Sequence, residues 1–241
     1  MIEFKNIYKT FNEKEILKDV SFKIMKGDSI AIIGQSGVGK SVLIKHINGL
    51  LQPDSGTVHI NGKILSLLNY RELQKLRAKM AMVFQFGALF DSMNIEENIL
   101  LGLKSVNQNK KNINQSIVND VLERVNLNGI NLQFPSDISG GMRKRVGIAR
   151  AIAIDPEIIL YDEPTTGLDP ISTNEINGLI KKVHSDNVTS IIVTHELKTV
   201  FDVSNKVIML YDGQIIFEGT PNELKRSKDK YIRYFITGEK H

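Results

Sequence analysis

Hydrophobic and polar positions change their spacing several times along this chain. The first 28 residues alternate, as in IEFKNIYKTF and ILKDVSFKI, which predicts antiparallel strands. The apolar run SIAIIG predicts a short buried strand that ends at a glycine, and KSVLIKHINGLL has the spacing of a helix. PDSGTVHINGK carries the turn signals of a hairpin, RELQKLRAKM predicts an exposed helix, and AMVFQ predicts the next strand. An antiparallel β-subdomain therefore opens the chain.

The spacing becomes mostly helical from about Phe86 to Asp155, which predicts an inserted helical subdomain over about residues 86–155. Within it, the polar stretch VNQNKKNINQS predicts a loop between two helices. Strands and helices then alternate in EIILY, STNEINGLIKKVHSD, TSIIVTH and ELKTVFDVS, and a last hairpin follows in KVIMLYDGQIIFEG. This alternation predicts an α/β fold built on a mixed, mostly parallel sheet with helices on both faces.

The chain end carries a different signal from the alternating part. PNELKRS predicts a short helix, and KYIRYFITGEKH is a basic, aromatic tail that either packs on a neighbouring subunit or frays. We therefore predict one large domain over residues 1–224 and a C-terminal tail over residues 225–241.

Composition narrows the function classes. Of the 241 residues 41% are hydrophobic and 24% charged, the balance of a globular domain. The net charge of +4 is weak and both signs are spread along the chain, so nothing favours nucleic acid as a partner. The absence of cysteine excludes disulfides, thiolate catalysis and cysteine-based metal sites. No apolar run approaches the roughly 18 residues of a membrane span, so a membrane role would go through a partner.

A glycine-rich loop, GQSGVGKS, joins a predicted strand to a predicted helix. Gly34, Gly39, Lys40 and Ser41 match the spacing of a phosphate-binding loop, hereafter the P-loop (residues 34–41). The glycines let backbone N–H groups surround phosphate oxygens, Lys40 adds a charge, and the Ser41 hydroxyl can ligate Mg²⁺. The alternative is a plain glycine-rich turn.

Polar residues end three other predicted strands. Asp162 and Glu163 follow the buried run EIILY, where Asp162 can lie beside Mg²⁺ and Glu163 can accept a proton from water. Gln85 and His195 end two further strands, at the sheet edge where ligands of open parallel sheets bind. Ordinary solvated acids and a structural histidine are the alternatives at these positions.

A second helix start also suits an anion. In PSDISGGMRKR a serine stands at the cap position before two glycines and a basic run. Unpaired N–H groups and the helix dipole favour a negative charge at such a start. Two phosphate-facing helix starts in one chain need an explanation.

The P-loop, Gln85, ISGGM, YDEPTTGLDP and His195 together resemble, in order and spacing, the ATPase subunits of ABC systems. The resemblance covers about residues 2–224 and implies the ABC type of P-loop NTPase fold, with ATP and Mg²⁺ as ligands. It also implies a homodimer in which each nucleotide lies on one subunit's P-loop and is capped by the other subunit's helix start. The second cradle would then act on a neighbour's nucleotide.

The resemblance assigns roles to individual residues. Phe11 would stack on adenine, with Tyr8 as rival and core packing as the alternative. Gln85 would sense Mg²⁺ and the attacking water, Glu163 would be the general base, and His195 would hold the γ-phosphate. The implied contacts with the nucleotide on the same subunit come from Gly34, Gln35, Ser36, Gly37, Val38, Gly39, Lys40, Ser41 and Val42. The implied Mg²⁺ ligands are Ser41, Gln85 and Asp162. The residues implied to cap the nucleotide in trans are Ser139, Gly140, Gly141 and Asp169.

The chain departs from the family pattern in two places. Met142 replaces the final glutamine of the usual L-S-G-G-Q, and Lys144 replaces a common glutamine before Arg145. The serine and both glycines are intact, so these departures affect only the fine geometry of the cap.

A narrower resemblance comes from GALF, SGGM and ARAIAIDP, which are similar to the ATPase subunits of Mla-type, MCE-associated phospholipid transporters. It implies a membrane permease, an MCE lipid-binding protein, a possible small STAS-domain regulator, and a peripheral location on the cytoplasmic face of the inner membrane. Ala88, Leu89 and Phe90 would form the apolar patch that receives the permease, with core packing of Leu89 and Phe90 as the alternative. The rival functions are importers or exporters of amino acids, metals or drugs, and a soluble ABC ATPase of DNA repair or translation.

Overall fold

The computed structural model describes residues 1–106, 115–184 and 188–239. Most of the predicted loop VNQNKKNINQS lies outside these residues. The chain divides into two compact units, the first formed by Met1–Leu73 with Thr189–His241 and the second by Gln74–Val188.

An antiparallel sheet opens the first unit, as the alternating pattern predicts. Its strands lie in the order β2-β1-β4-β5, with the bounds β1 (Ile2–Phe11), β2 (Lys14–Ile24), β4 (Ser55–Ile60) and β5 (Lys63–Ile64). The apolar positions of β1 face inward, and the rings of Phe4 and Phe22 stack with centroids 4.5 Å apart across the β1–β2 pair. Alternation is therefore the signature of a sheet buried on one face.

The second sheet of this unit is mostly parallel. Its strands lie in the order β10-β9-β3-β8, and only β10 runs antiparallel; the bounds are β3 (Ser29–Ile33), β8 (Thr189–Val193), β9 (Lys206–Tyr211) and β10 (Gln214–Gly219). Every residue of β3 and β8 is buried. Burial on both faces explains their continuous apolar runs.

Among the described residues, four helices lie wholly within the first unit, namely α1 (Lys40–Ile47), α7 (Leu197–Val203), α8 (Pro221–Lys225) and α9 (Lys230–Thr237). A 3₁₀ turn covers Leu65–Leu67. Helix α9 lies in the predicted tail, and its Ile232 is 2% exposed in a cluster with Ile33, Val207 and Leu224. The fraying alternative is therefore wrong for the described part of the tail, because α9 packs on the core of its own unit.

The second unit is mostly helical. The chain enters it within α2 (Tyr70–Arg77), and its two strands pair in parallel; the remaining bounds are β6 (Met80–Val83), α3 (Ile95–Val106), α4 (Gln115–Arg124), α5 (Gly140–Ala153), β7 (Ile158–Asp162) and α6 (Pro170–His184). A 3₁₀ turn over Pro135–Asp137 precedes α5. Helix α5 packs against α3, α4, α6 and β6, so it forms the centre of this unit.

Candidate functional site

The P-loop connects β3 to α1 in backbone conformations that glycine favours. Gly34 has φ +146°, and a Cβ there would lie 2.4 Å from the carbonyl oxygen of Leu210. Gly39 has φ +108°, and its Cβ would lie 3.0 Å from Leu17 Cδ2. These positive φ values and close approaches explain why the loop needs its glycines.

Lys40 lies at the first position of α1 and is 6% exposed. Its Nζ donates to the carbonyl oxygens of Gly34 and Gln35, at 2.8 and 3.0 Å, so the ammonium group lies against the loop. The cap residue, Gly39, has no side chain to occupy the helix N–H groups, and the first turn carries a cation and no carboxylate. This start of α1 therefore fits a phosphate, and the Ser41 hydroxyl in the same turn fits Mg²⁺.

His195 follows β8 by two residues and is exposed. In the parallel β3–β8 pair Val193 lies opposite Ile32, and the N–H of Thr194 donates to the carbonyl of Ile32 at 3.2 Å. Because both strands end at one edge, His195 leaves the sheet where the P-loop begins.

Phe11 ends β1 with 41% of its surface exposed, and Lys9 Nζ lies 5.3 Å from its ring centroid. The core-packing alternative for Phe11 is therefore wrong. Tyr8 is exposed to nearly the same extent, 40%, so the two rings remain rivals for the adenine.

A cavity of about 270 Å³ in the first unit borders the P-loop. Its walls include Ser36 and Gly37 of the loop, Ile16 of β2, and two tyrosines, Tyr211 and Tyr231, whose ring centroids are 4.0 Å apart. Sequence reasoning missed both tyrosines, since Tyr231 belongs to the tail and only the packing of α9 brings it near the loop.

In the second unit the strand-end residues meet at one edge. Strands β6 and β7 pair with Val83 opposite Tyr161, so Gln85 and Glu163 each follow the aligned pair by two residues. Asp162 ends β7, and both acids and Gln85 are half-buried. Three of the predicted residues are thus brought to the same edge.

Glu163 has φ +51°, a sparsely populated conformation for a residue with a side chain. The hydroxyl of Thr166 donates to its Oε2 at 2.9 Å. Lys144 of α5 in turn donates to the carbonyl of Thr166 at 2.6 Å. Sequence reasoning noted Lys144 only as a departure from a family pattern and assigned no role to Thr166.

Ser139 is the cap residue of α5, and its Oγ accepts from the N–H of Met142 at 3.2 Å. Ser139 and Gly140 are exposed and Gly141 is half-buried. The first turn of α5, from Gly140 to Arg143, again contains no carboxylate. The second predicted anion site is therefore an accessible helix start.

Asp169 lies near this helix start, since a Cβ on Gly141 would lie 3.5 Å from Ser172 Oγ. The Asp169 carboxylate accepts from Ser172 Oγ at 2.5 Å and from the backbone N–H groups of Ser172 and Ile171. These bonds, led by the Ser172 hydroxyl, lower the pKa of Asp169, so its carboxylate stays ionised.

The described residues contain no group of three or more His, Asp or Glu arranged to hold a metal ion. Within the same described ranges, no helix combines the length and apolar character that crossing a bilayer requires.

A buried strand, a glycine loop and a lysine-bearing helix start define the class of P-loop nucleotide-binding proteins. The chain belongs to the ABC transporter family, whose model matches residues 17–166, more than half of its length. It is an ATPase, and its ligands are ATP and Mg²⁺.

Individual relatives are similar over nearly the whole chain. The protein TRIGALACTOSYLDIACYLGLYCEROL 3, chloroplastic, of Arabidopsis thaliana is 38% identical over 99% of this chain and 74% of its own length. The intermembrane phospholipid transport system ATP-binding protein MlaF of Haemophilus influenzae is 38% identical over 99% and 91%. The L-cystine import ATP-binding protein TcyN of Bacillus subtilis is 37% identical over 98% and 92%.

Among solved structures, a dimeric ATP-binding cassette in a post-hydrolysis state, bound to ADP and Pi, superposes with a TM-score of 0.83. It is 32% identical, and the match covers 92% of this chain and 99% of that one. The predicted fold class, an α/β P-loop NTPase of the ABC type, is confirmed.

Proposed function

We propose that this chain is the ATPase subunit of a phospholipid transporter of the Mla type, held peripherally at the cytoplasmic face of the inner membrane. The observation that carries the proposal is the full-length similarity to MlaF of Haemophilus influenzae, which is named for phospholipid transport. The Arabidopsis relative, named for a galactolipid, supports a lipid substrate. In this reading, ATP binding and hydrolysis drive a membrane permease through its transport step.

Within the ATPase site, each predicted residue has a task that its position supports. Lys40 and the P-loop amides bind the phosphates, and His195 contacts the γ-phosphate from the adjoining strand end. Glu163 accepts a proton from the attacking water, which needs a positioned carboxylate within hydrogen-bond reach. Ser41, Gln85 and Asp162 would hold Mg²⁺, which supplies positive charge to the phosphates.

The second helix start acts in trans in a homodimer. The Ser139 cap, Gly140 and Gly141 are accessible, and Asp169 lies beside them through Ser172. The dimeric cassette to which this chain is similar supports such an assembly. The α5 start of one subunit would then cap ATP on the P-loop of the other, which answers why one chain carries two phosphate-facing starts.

A surface for the permease surrounds Gln85 in the sequence. In the coupling segment (residues 84–90), Phe86 is 76% exposed, Phe90 51% and Phe84 41%, while Leu89 is half-buried. Core packing is therefore wrong for Phe90. Three exposed rings within seven residues form an apolar patch that a helix of a membrane partner can cover. The further partners of the proposal are an MCE lipid-binding protein and a STAS-domain protein.

An amino-acid importer is the second candidate function. The 37% identity to the L-cystine import protein, over 98% of this chain, is the observation that favours it. Both functions use the same ATPase site, so the permease decides between them.

The test is to purify the tagged chain from membranes of its native host and to identify what accompanies it. We expect a permease and an MCE lipid-binding protein. A Phe86→Asp variant is expected to lose the permease, because it places a charge in the apolar patch. Leu67→Asp is the matched control, since Leu67 is 77% exposed outside the coupling segment. Recovery of an amino-acid permease would contradict lipid transport, and permease retained by Phe86→Asp would contradict the docking surface.

A further inference from the structure

Lys144 is a buried cation on the second turn of α5. It is 6% exposed, and burying an ammonium group is unfavourable unless acceptors satisfy it. Its Nζ donates to the carbonyl of Thr166 at 2.6 Å, a short, charge-assisted hydrogen bond. Lys144 thereby ties α5 to the catalytic segment (residues 163–169) that joins β7 to α6.

The same threonine continues the connection to Glu163. The Thr166 hydroxyl donates to Glu163 Oε2 at 2.9 Å, so two hydrogen bonds link the Lys144 ammonium to the carboxylate through one residue. Glu163 has φ +51°, a conformation that persists only where surrounding groups hold it. The position of this carboxylate therefore depends on what holds Thr166.

A second contact joins α5 to Ser172 at the start of α6, next to the end of the catalytic segment. Gly141 lies three residues before Lys144, on the same helix face. A Cβ on Gly141 would lie 3.5 Å from Ser172 Oγ, and that hydroxyl donates to Asp169. The first two turns of α5 thus contact the catalytic segment at Thr166 and the start of α6 at Ser172.

We propose that Lys144 is a positioning residue that couples the start of α5 to the Glu163 carboxylate. The proposal rests on the proposed function, in which Ser139 caps a neighbour's nucleotide and Glu163 deprotonates water. Ser139 caps the helix on which Lys144 lies, so a phosphate that binds at the start of α5 acts on Lys144 through that helix. The bonds from Lys144 to Thr166 and from Thr166 to Glu163 then hold the carboxylate where it can accept a proton from the attacking water.

The experiment measures kcat and KM for ATP on the full-length chain with Mg²⁺. Lys144→Met keeps the length and apolar stem of the side chain but removes the donor. We expect kcat to fall about 10- to 100-fold, because small displacements of a catalytic group have effects of this size. KM for ATP should stay within about threefold, since the bond from Lys144 to the Thr166 carbonyl acts on the Glu163 carboxylate, whose role is in the chemical step.

Two further variants separate positioning from packing. Lys144→Gln restores a donor for the Thr166 carbonyl and should recover kcat to within about threefold of wild type. Val146→Ala also disturbs α5, at a fully buried position, but leaves the Thr166 bond in place. It should lower the melting temperature without lowering kcat of the folded protein.

Thr166→Val tests the bond from Thr166 to Glu163. It also tests the proposal if Lys144→Met does not fold. It removes the hydroxyl that Glu163 accepts from and keeps the carbonyl, so kcat should fall as in Lys144→Met. The double variant should be little worse than either single one, because both changes break one connection. Unchanged kcat in either single variant, or multiplied losses in the double, would overturn the proposal.

Glu163→Gln distinguishes failure of the proposal for Lys144 from failure of the proposed function. Turnover by Glu163→Gln at the wild-type rate would remove Glu163 as general base, and the role of Lys144 with it. An inactive Glu163→Gln beside a fully active Lys144→Met would overturn only the coupling through Lys144.

Discussion

His46 and Lys144 are buried ionisable side chains outside the P-loop, on the two helices whose N-termini face phosphate in the proposed function. Lys144 on α5 is satisfied by a carbonyl of the catalytic segment. His46 on α1 is 1% exposed, and its Nδ1 bonds to the carbonyl of Val42 at 2.7 Å. In the part of the chain that the structure describes, its Nε2 has no hydrogen-bond partner. Burial therefore favours the neutral ring of His46.

The pH dependence of stability should report on this histidine. Burial lowers the pKa of His46 below its ordinary value of 6.5, with Lys9 adding to the effect and Val42 and Asp54 opposing it. As pH falls below about 6.5 the unfolded chain binds a proton that the folded chain does not, so folding stability falls until the folded pKa is reached.

His46→Met removes the ionisable group, so the free energy of unfolding should change less with pH below about 6.5 than in the wild type. The wild-type slope from His46 is at most about 1.4 kcal/mol per pH unit. Urea unfolding of both proteins at pH 8 gives their pH-independent difference, and repeating it between pH 6.5 and 5 gives the slope. Parallel curves for the two proteins would contradict a neutral, buried His46.

At the scale of elements, α5 is held against the coupling segment by close backbone contact. A Cβ on Gly87 would lie 2.9 Å from the carbonyl oxygen of Arg143, and one on Gly147 would lie 3.2 Å from Gly87 Cα. The guanidinium group of Arg150 donates to the carbonyls of Gly87 and Ala88, each at 2.8 Å. The helix that carries Ser139 therefore also holds the segment that carries the exposed rings.

Substituting Gly87 should be more harmful than substituting a glycine of the same conformation in open space. Gly87 and Gly129 have φ +76° and +77°, but a Cβ on Gly129 would meet nothing within 4 Å. Gly129→Ala should lower the free energy of unfolding by about 1–2 kcal/mol, the cost of a left-handed residue. Gly87→Ala should lower it by a further 1–3 kcal/mol or so through the backbone clash. Equal losses in urea unfolding would show that the contact with α5 is loose.

At the scale of the whole molecule, a site shared between two copies predicts how dimers that mix two inactive variants behave. Lys40→Ala disables the P-loop of its own chain. Gly140→Asp disables the cap, because the new carboxylate would repel a phosphate. The fold should tolerate this side chain, since the helix start has room for it and the helix dipole favours a negative charge there. Each pure variant should be inactive if each site uses the P-loop of one chain and the cap of the other.

Mixing the two variants should restore activity. About half of randomly formed dimers are mixed, and each mixed dimer has one complete site, so about a quarter of wild-type activity is expected. The control mixes Gly140→Asp with a chain that carries both substitutions, where no complete site can form. An inactive mixture of the single variants, with subunit exchange shown by labelled chains, would contradict a site shared in trans.

The motifs were predictable from sequence because each depends on local backbone. Glycines of the P-loop adopt their positive φ values within a few residues of Lys40, and the residues that follow the buried runs of β3 and β7 lie at the sheet edge where ligands bind. Helix α5 starts at Gly140 because Ser139 caps it, again a local effect. Sequence alone thus determined the class of fold and the set of candidate site residues.

Tertiary structure decided which side chains are buried and what they contact, because both depend on residues far apart in the chain. Lys144 and Thr166 are 22 positions apart, and only the packing of α5 against the catalytic segment joins them. Packing likewise places Ile232 of the predicted tail in a core, exposes Phe90, and brings Tyr231 to the cavity beside the P-loop. Hydrophobicity and spacing are properties of a segment, whereas burial and hydrogen bonding are properties of the folded neighbourhood.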